Sequence, residues 1–147
     1  MRVLIQRVAK ASVTVRDKVI SKIDQGLLIF VCAMSEDTES QAEVLAKKIS
    51  NLRIFSDSEG KMNKSIIDIK GQCLVVSQFT LAADTKRGNR PGFSYAANPD
   101  KGLELYEYFA DFLSSLNIET QKGIFGEDMM VNIENDGPTT IWIDTDD

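Results

Sequence analysis

Ser77, Gln78 and Thr80 place three polar side chains within four positions, interrupted only by Phe79. The apolar residues 74–76 directly before them predict a buried strand. Polar groups at the end of such a strand need hydrogen-bond partners or a ligand, because burying them unpaired costs free energy. This segment is therefore the first place to look for chemistry.

The sequence contains no histidine, which removes His-based triads, His acid–base catalysis and His metal sites. The two cysteines, Cys32 and Cys73, lie in apolar runs, so we expect buried thiols rather than a disulfide or a zinc site. We expect no metal ion and no cofactor. Any chemistry must use hydroxyls, carboxylates, Lys or Arg, the backbone, or groups of the substrate itself.

Three interpretations of the polar segment remain open. Thr80 could be a nucleophile, although a hydroxyl needs a base within hydrogen-bond reach and no Lys is adjacent in sequence. The hydroxyls of Ser77 and Thr80 could instead bond to the backbone at the strand end. Alternatively, the backbone N–H groups of Phe79 and Thr80 could stabilise an oxyanion without any titrating side chain.

A second unusual motif, Asn135-Asp136-Gly137-Pro138-Thr139-Thr140, lies near the carboxyl terminus. The simpler local interpretation is a turn that joins a strand over 129–134 to a strand over 139–144. Gly137 would also allow the backbone to approach a ligand closely, and the bond before Pro138 is of the kind that can be cis.

A basic cluster, Lys86, Arg87 and Arg90, follows the polar segment in a chain whose net charge is −5. The net charge argues against broad electrostatic binding of nucleic acid, but it leaves room for a local contact. The alternative is a solvated loop, since Gly and Pro residues predict irregular structure over 85–98.

The length of 147 residues, with 43% apolar and 27% charged residues, predicts one domain over 1–147. No apolar run approaches the roughly 20 residues that span a bilayer, and the amino terminus lacks a signal-peptide core. We expect a cytoplasmic protein with no membrane contact.

Periodicity predicts an α+β fold, a β-rich sheet or barrel that carries two main helices. The predicted strands cover 3–9, 13–15, 19–23, 27–34, 52–55, 74–76, 118–121, 129–134 and 139–144. The first helix follows Asp37 or Thr38, and its predicted apolar face is Ala42, Leu45, Ala46 and Ile49. The second runs from Pro99 to about Leu116, and its predicted apolar face is Leu103, Tyr106, Phe109, Ala110 and Leu113.

Taken together, these motifs resemble the D-aminoacyl-tRNA deacylases, and the resemblance runs essentially from end to end. It is carried by Met1-Arg2-Val3, Gln6-Arg7-Val8, Ala11-Ser12-Val13, Gly60-Lys61-Met62-Asn63, Ser77-Gln78-Phe79-Thr80-Leu81, Arg90-Pro91, Phe125-Gly126 with Met129, and Asn135-Asp136-Gly137-Pro138. Thr139 departs from the family pattern, because many members carry an aliphatic residue there.

The resemblance implies a homodimer that hydrolyses the ester between a D-amino acid, or misattached glycine, and the 3′-terminal adenosine of tRNA. Ser77, Gln78, Phe79 and Thr80 correspond to the catalytic segment. Gly137 and Pro138, cis in the family, would reach into the partner subunit's pocket and block an L side chain. Arg7 would hold that pair, and Phe125 and Met129 would lie near the adenosine and the pocket wall.

Three hypotheses follow. In the first, the 2′-hydroxyl of the tRNA assists hydrolysis while the amides of Phe79 and Thr80 bind the oxyanion. In the second, Thr80 forms an acyl-enzyme. In the third, the chain is an RNA-binding or dimeric scaffold without catalysis. A separate prediction is that Lys86, Arg87 and Arg90 contact acceptor-stem phosphates, because they form the strongest basic cluster in an acidic chain.

Overall fold

Two long antiparallel strands run through the length of the molecule and carry most of its other elements. The structure is a computed structural model that describes residues 1–147. Its elements are β1 (Arg2–Val15), β2 (Lys18–Ile23), β3 (Gly26–Cys32), α1 (Glu39–Asn51), β4 (Phe55–Ser56), β5 (Met62–Lys64), β6 (Gln72–Ser77), a 3₁₀ turn (Phe79–Ala82), α2 (Pro99–Ser115), β7 (Glu119–Lys122) and β8 (Met130–Asp144).

The main sheet is mixed and strongly curled. β1 pairs antiparallel with β8 along one side, and with β2 and then β3 along the other. β6 and β7 extend the sheet beyond β3 in parallel. β2 also packs near β6 and β7, so the sheet approaches a closed barrel. The predicted α+β class is confirmed, while the two strands predicted over 3–9 and 13–15 are one strand, β1.

α1 confirms its predicted start and its predicted apolar face. Gln41 Oε1 accepts hydrogen bonds from the backbone N–H and the hydroxyl of Thr38, at 2.8 and 2.7 Å, which completes a capping box. The residues predicted to face the core are all buried, namely Ala42, Leu45, Ala46 and Ile49. Together with the inner face of the sheet and α2 they form the larger of the two main apolar cores.

α2 occupies the predicted range, but one of its predicted core residues is wrong. Leu103 is 43% exposed, and Leu105 is buried instead. The core-facing side of the helix passes through Gly102, where an added Cβ would lie 3.3 Å from the ring of Phe125. Leu103 therefore lies at the edge of that face, at the start of the second helical turn.

The strand predicted over 52–55 is also wrong except at its end, since β4 covers only Phe55–Ser56. The carbonyl oxygen of Ile54 accepts a hydrogen bond from the Arg7 side chain instead of joining a ladder. Cys32 and Cys73 are both buried free thiols, as predicted. No helix of the chain is long and apolar enough to cross a membrane.

Candidate active site

The segment 77–80 leaves the sheet at the carboxyl end of a buried strand. Ser77 ends β6 beside Val31 of β3, and the backbone N–H of Gln78 donates to the Val31 carbonyl at 2.8 Å. The chain then enters the 3₁₀ turn, which leaves Phe79 57% exposed and Thr80 exposed as well. The polar end of the apolar strand therefore lies at the surface, where it can contact a ligand.

The first two N–H groups of this turn are unpaired. Neither Phe79 nor Thr80 donates its amide to another group of the chain, whereas the amide of Leu81 donates to Gln78 at 3.1 Å. Orphan donors of this kind are a general property of helix starts. They are available to bind an oxygen that carries developing negative charge.

The carbonyl groups of the turn are held from the interior. The Cys32 thiol lies 3.6 Å from the carbonyl oxygen of Phe79, and Arg2 Nη1 donates to that of Leu81 at 3.1 Å. Because the peptide unit is planar and its N–H points opposite to its C=O, an inward Phe79 carbonyl turns the Thr80 N–H outward.

The side chains of the segment contain no acid–base pair. Gln78 Nε2 donates to the hydroxyl oxygen of Thr80. No carboxylate, lysine or arginine is hydrogen-bonded to Ser77 or Thr80, and no cluster of three or more Cys, Asp or Glu is placed to hold a metal ion. The local geometry offers backbone donors rather than an activated hydroxyl.

A small cleft of about 30 Å³ lies beside this segment and contains Ser77, Phe79 and Phe125 in its walls. Its remaining lining is mostly apolar and consists of Met1, Val31, Cys32, Ala33, Ala97, Gly102 and Tyr106. A much larger open groove, of about 1170 Å³, runs along β2 and contains none of the predicted site residues. The structure therefore gathers part of the predicted site around the small cleft.

Phe125 and Met129 have different surroundings. Phe125 lines the cleft, and its ring centroid lies 5.8 Å from that of Tyr106. Met129 is half-buried, its sulfur lies against Gly123, and its side chain packs on the smaller of the two main apolar cores. Phe125 can contact a ligand directly, whereas Met129 supports the loop that carries it.

Residues 136–139 form a wide bulge within β8, and the predicted turn between two separate strands is wrong. Gln6 pairs with Thr140 and Val8 pairs with Asn135, so Arg7 alone lies opposite these four residues. Asn135 Nδ2 donates to the carbonyl oxygens of Arg7 and Thr139, at 2.9 and 3.1 Å. The bulge is thus closed at its base without reversing the chain.

Gly137 and Pro138 lie at the exposed tip of the bulge and are joined by a cis peptide bond. Arg7, only 9% exposed, supports them from below. Its Nε donates to the carbonyl oxygen of Asp136 and lies equally near that residue's carboxylate, both at 3.2 Å. Its Nη1 donates to Ile54 at 2.7 Å.

The bulge and the cleft are far apart within one chain. Along β1, the bulge lies opposite Arg7, whereas Ser77 lies level with Val31 near the start of that strand. Val31 pairs with Val3, and Val3 and Arg7 are four positions apart, which is roughly 13 Å along a strand. A single chain therefore does not bring Gly137 and Pro138 to Phe79.

Lys86, Arg87 and Arg90 are all exposed, at the tip of a loop with a fixed base. The amide of Asp84 donates to Gly92 at 2.8 Å and the amide of Gly92 donates back at 3.0 Å. The base of the loop lies beside the cleft, because Phe93, which follows Gly92, packs on Phe79.

Comparison with known proteins places this geometry in a family. A family model described as D-Tyr-tRNA(Tyr) deacylase matches residues 4–144. The chain belongs to this family. Curated relatives named D-aminoacyl-tRNA deacylase include one from Ruegeria pomeroyi, 58% identical over 98% of this chain and 99% of its own. Another, from Thermosipho melanesiensis, is 51% identical over 99% of this chain and 97% of its own length.

Two solved structures share the fold of this deacylase. A c-Myc DNA unwinding element binding protein is 38% identical, with a TM-score of 0.93 over 99% of both chains. A probable eukaryotic D-amino acid tRNA deacylase has a TM-score of 0.84 over 97% of both chains, and at 18% identity it shows the fold alone. The predicted family resemblance is confirmed, and with it the prediction that the chain is an enzyme.

Sequence reasoning missed the contribution of Tyr106 to the candidate site, because it counted this residue only as part of an apolar helix face. Its hydroxyl donates to the carbonyl oxygens of Val75 and Gly123, at 3.0 and 3.2 Å. Burial raises the pKa of Tyr106, so the hydroxyl remains a protonated donor. The signal available in the sequence was a hydroxyl on an otherwise apolar stripe.

Proposed function

We propose that the protein hydrolyses the ester bond between a D-amino acid and the 3′-terminal adenosine of tRNA. The observation that carries this proposal is the pair of unpaired amides, Phe79 N–H and Thr80 N–H, above a cleft with Phe125 in its wall. The relatives with this name match nearly the whole chain, which supports the same substrate class.

In the proposed reaction the two amides bind the carbonyl oxygen of the ester. Water, activated by the 2′-hydroxyl of the terminal ribose, attacks the carbonyl carbon. The carbonyl electron pair moves onto the oxygen held by the amides, and collapse of this intermediate expels the 3′-oxygen, which takes up a proton. An aminoacyl ester is already reactive, so positioning and oxyanion binding can supply much of the rate enhancement.

The hydroxyl of Thr80 is not the nucleophile in this proposal. It accepts a hydrogen bond from Gln78, and no basic side chain contacts it. A nucleophilic hydroxyl needs a base that removes its proton. We infer that Thr80 acts through its backbone and that its side chain shapes the segment.

We further propose that the active enzyme is a homodimer in which Gly137 and Pro138 complete the cleft of the partner subunit. The tip of the bulge is exposed, and it lies too far from the cleft of its own chain to act there. β8 is an edge strand that exposes Met130, Ile133 and Trp142, at 68%, 41% and 45%. An exposed, partly apolar edge strand of this length favours association with another chain.

A filter built from the bulge would distinguish substrates only by the configuration at Cα of the esterified amino acid. Backbone and proline atoms would block the side chain of an L residue, while a D side chain would point elsewhere. This explains how one cleft can accept many D-amino acids, and it implies that glycyl-tRNA is hydrolysed too, because glycine has no side chain to exclude.

In this proposal Lys86, Arg87 and Arg90 contact acceptor-stem phosphates. They are the strongest basic cluster on an otherwise acidic chain, and Phe79 lies at the base of their loop. Charged tRNA is a cytoplasmic substrate, which agrees with the predicted location.

The proposed function is tested by a paired assay with D-Tyr-tRNA and L-Tyr-tRNA under single-turnover conditions. We expect rapid hydrolysis of the D ester and a rate near the uncatalysed background for the L ester. Equal background rates for both esters would refute catalysis and favour a scaffold role. Equal rapid rates would leave a deacylase without the proposed filter.

A further inference from the structure

The loop over 85–98 carries an exposed aromatic ring on a fixed backbone. Tyr95 is 57% exposed. Its carbonyl oxygen accepts a hydrogen bond from the amide of Ser35 at 3.0 Å, and the amide of Ala96 donates to Phe93 at 3.1 Å, which closes a turn around it. Only the side chain of Tyr95 is therefore free to move.

Tyr95 lies in the sequence between Phe93, which packs on a residue of the cleft, and Ala97, which lines the cleft. On one side, the ring of Phe93 meets that of Phe79 edge to face, with centroids 5.0 Å apart. On the other side, Ala97 lines the cleft, and its amide donates to Ala33 at 2.9 Å. The backbone that carries the exposed ring of Tyr95 is thus fixed close to the residues of the cleft.

The loop carries both kinds of group that the single-stranded end of a tRNA and its acceptor stem can bind, an exposed ring and a basic cluster. If the ester lies at the amides and the terminal adenosine lies over the cleft against Phe125, the unpaired cytidines before it continue across the neighbouring surface, and the paired acceptor stem lies beyond them. On the protein, Phe93 packs on Phe79 in the wall of the cleft, Tyr95 follows two residues later, and the basic tip, Lys86 to Arg90, belongs to the same loop. Aromatic side chains bind unpaired nucleotides by stacking on their bases.

We propose that Tyr95 is a stacking platform for the unpaired nucleotides that precede the terminal adenosine. This inference rests on the proposed function, because it takes the tRNA 3′ end as the ligand. It adds a binding residue that acts on the polynucleotide and not on the ester. The ring contributes affinity for RNA with a single-stranded end, while the amides of Phe79 and Thr80 remain responsible for the chemical step.

The kinetic test compares two substrates, D-Tyr-tRNA and the single nucleoside ester D-tyrosyl-adenosine. For Tyr95→Ala we expect KM for D-Tyr-tRNA to rise about tenfold with kcat unchanged, which is the scale of one lost base stack. Hydrolysis of the adenosine ester should be unaffected. Tyr95→Phe should behave as the unaltered protein, because it keeps the ring.

A matched control is Tyr108→Ala, which removes a ring that packs on Phe112 of α2 and is not part of the cleft. Tyr108→Ala should leave KM unchanged for both D-Tyr-tRNA and D-tyrosyl-adenosine. Equal loss on both substrates in Tyr95→Ala would show general damage to the site, and no loss on tRNA would show that the ring is idle. Either result would overturn the proposal.

A binding measurement separates this inference from the proposed function. An uncharged RNA minihelix with a 3′-CCA overhang is titrated beside the same minihelix with a blunt end. Tyr95→Ala should weaken binding of the first about tenfold and leave the second unchanged, whether or not the protein hydrolyses esters. If Tyr95→Ala binds the overhang minihelix as tightly as the unaltered protein does, the stacking role is refuted. If Tyr95→Ala instead dissociates a dimer, the stacking role is also refuted, and the ring belongs to a subunit contact.

Discussion

The guanidinium of Arg7 joins the carbonyl oxygen of Asp136, 3.2 Å from its Nε, to the carbonyl oxygen of Ile54, 2.7 Å from its Nη1. One buried side chain on β1 therefore fixes both the base of the bulge in β8 and the segment that leads into β4. The position of Gly137 and Pro138 depends on a residue more than a hundred positions earlier in the chain.

Arg7→Ala should lower the free energy of unfolding by about 1–3 kcal/mol, because it leaves the buried Ile54 carbonyl without a donor. It should also loosen the bulge and raise the hydrolysis of L-Tyr-tRNA relative to D-Tyr-tRNA. Arg7→Lys keeps the charge but not the forked geometry, so it should recover stability only in part. Urea unfolding and the D/L rate ratio measure the two effects, and an unchanged ratio in Arg7→Ala would contradict this role.

Gly137→Ala should displace the tip of the bulge. Its φ of +117° is unfavourable for other residues, and a Cβ there would lie 2.7 Å from Arg7 Nη2 and 2.8 Å from Thr139 Oγ1. We expect a loss of about 1–3 kcal/mol in stability, together with a fall in the D/L rate ratio. Two matched controls separate the causes. Gly60→Ala has a positive φ but open space around the added Cβ, and Gly92→Ala has neither the positive φ nor a close neighbour. If all three variants discriminate equally, the tip does not carry the selectivity.

Thr80→Ala should retain much of the single-turnover rate, because it removes the hydroxyl and keeps the amide. A tRNA that ends in 2′-deoxyadenosine should be a poor substrate, since the proposed reaction uses the 2′-hydroxyl. The acyl-enzyme hypothesis gives opposite results, namely complete loss in Thr80→Ala and a covalent adduct at Thr80 that mass spectrometry would detect.

Replacing Lys86, Arg87 and Arg90 by Gln should weaken tRNA binding and flatten its dependence on salt. Each lost phosphate contact lowers the slope of log affinity against log salt by roughly 0.7–0.9, and three contacts give a change of about 2–3. A triple variant at the exposed lysines Lys18, Lys48 and Lys70 removes the same charge elsewhere and should have a smaller effect. Identical slopes in the two triple variants would show that the basic tip is only solvated surface.

The two thiols should resist alkylation in the native protein at pH 8. Burial raises the pKa of Cys32 from 9.0 to about 11 and that of Cys73 to about 12, and the protonated thiol is a poor nucleophile. The folded state therefore binds the thiol protons more tightly than the unfolded state does. This contribution to stability is complete below pH 9, the ordinary thiol pKa, and is lost as the pH rises towards 11. Iodoacetamide labelling with and without urea, and urea unfolding at pH 8 and 10, measure the two effects.

The parts of the fold that could be predicted from sequence are those that local patterns determine. Thr38 and Pro99 set the starts of the two helices through capping and fixed φ, and the apolar run through β3 predicted a central strand. The 3₁₀ turn was not predicted, because four residues carry too little periodicity. Leu103 was misplaced because the position of Phe125, which meets the helix at Gly102, depends on tertiary packing.

The candidate site was predictable in its residues but not in its connections. The strand after Asn135 continues along β1 because its side chain bonds to the carbonyl oxygen of Arg7, a contact between distant parts of the chain. The orientation of the Phe79 carbonyl was likewise not predictable, because it faces the thiol of Cys32, which lies on another strand. No local pattern indicates where the backbone of Tyr95 lies, because its carbonyl oxygen bonds to the amide of Ser35, which is sixty positions away in the chain.

The bulge in β8 has a consequence for how the site can change. Gln6 and Thr140 pair on one side of it and Val8 and Asn135 on the other, so residues 136–139 take no part in the ladder. An inserted or deleted residue there would alter the projection of Pro138 in steps of about 3 Å while both strands kept their register. The reach of the tip is therefore a length that can vary independently of the barrel that supports it.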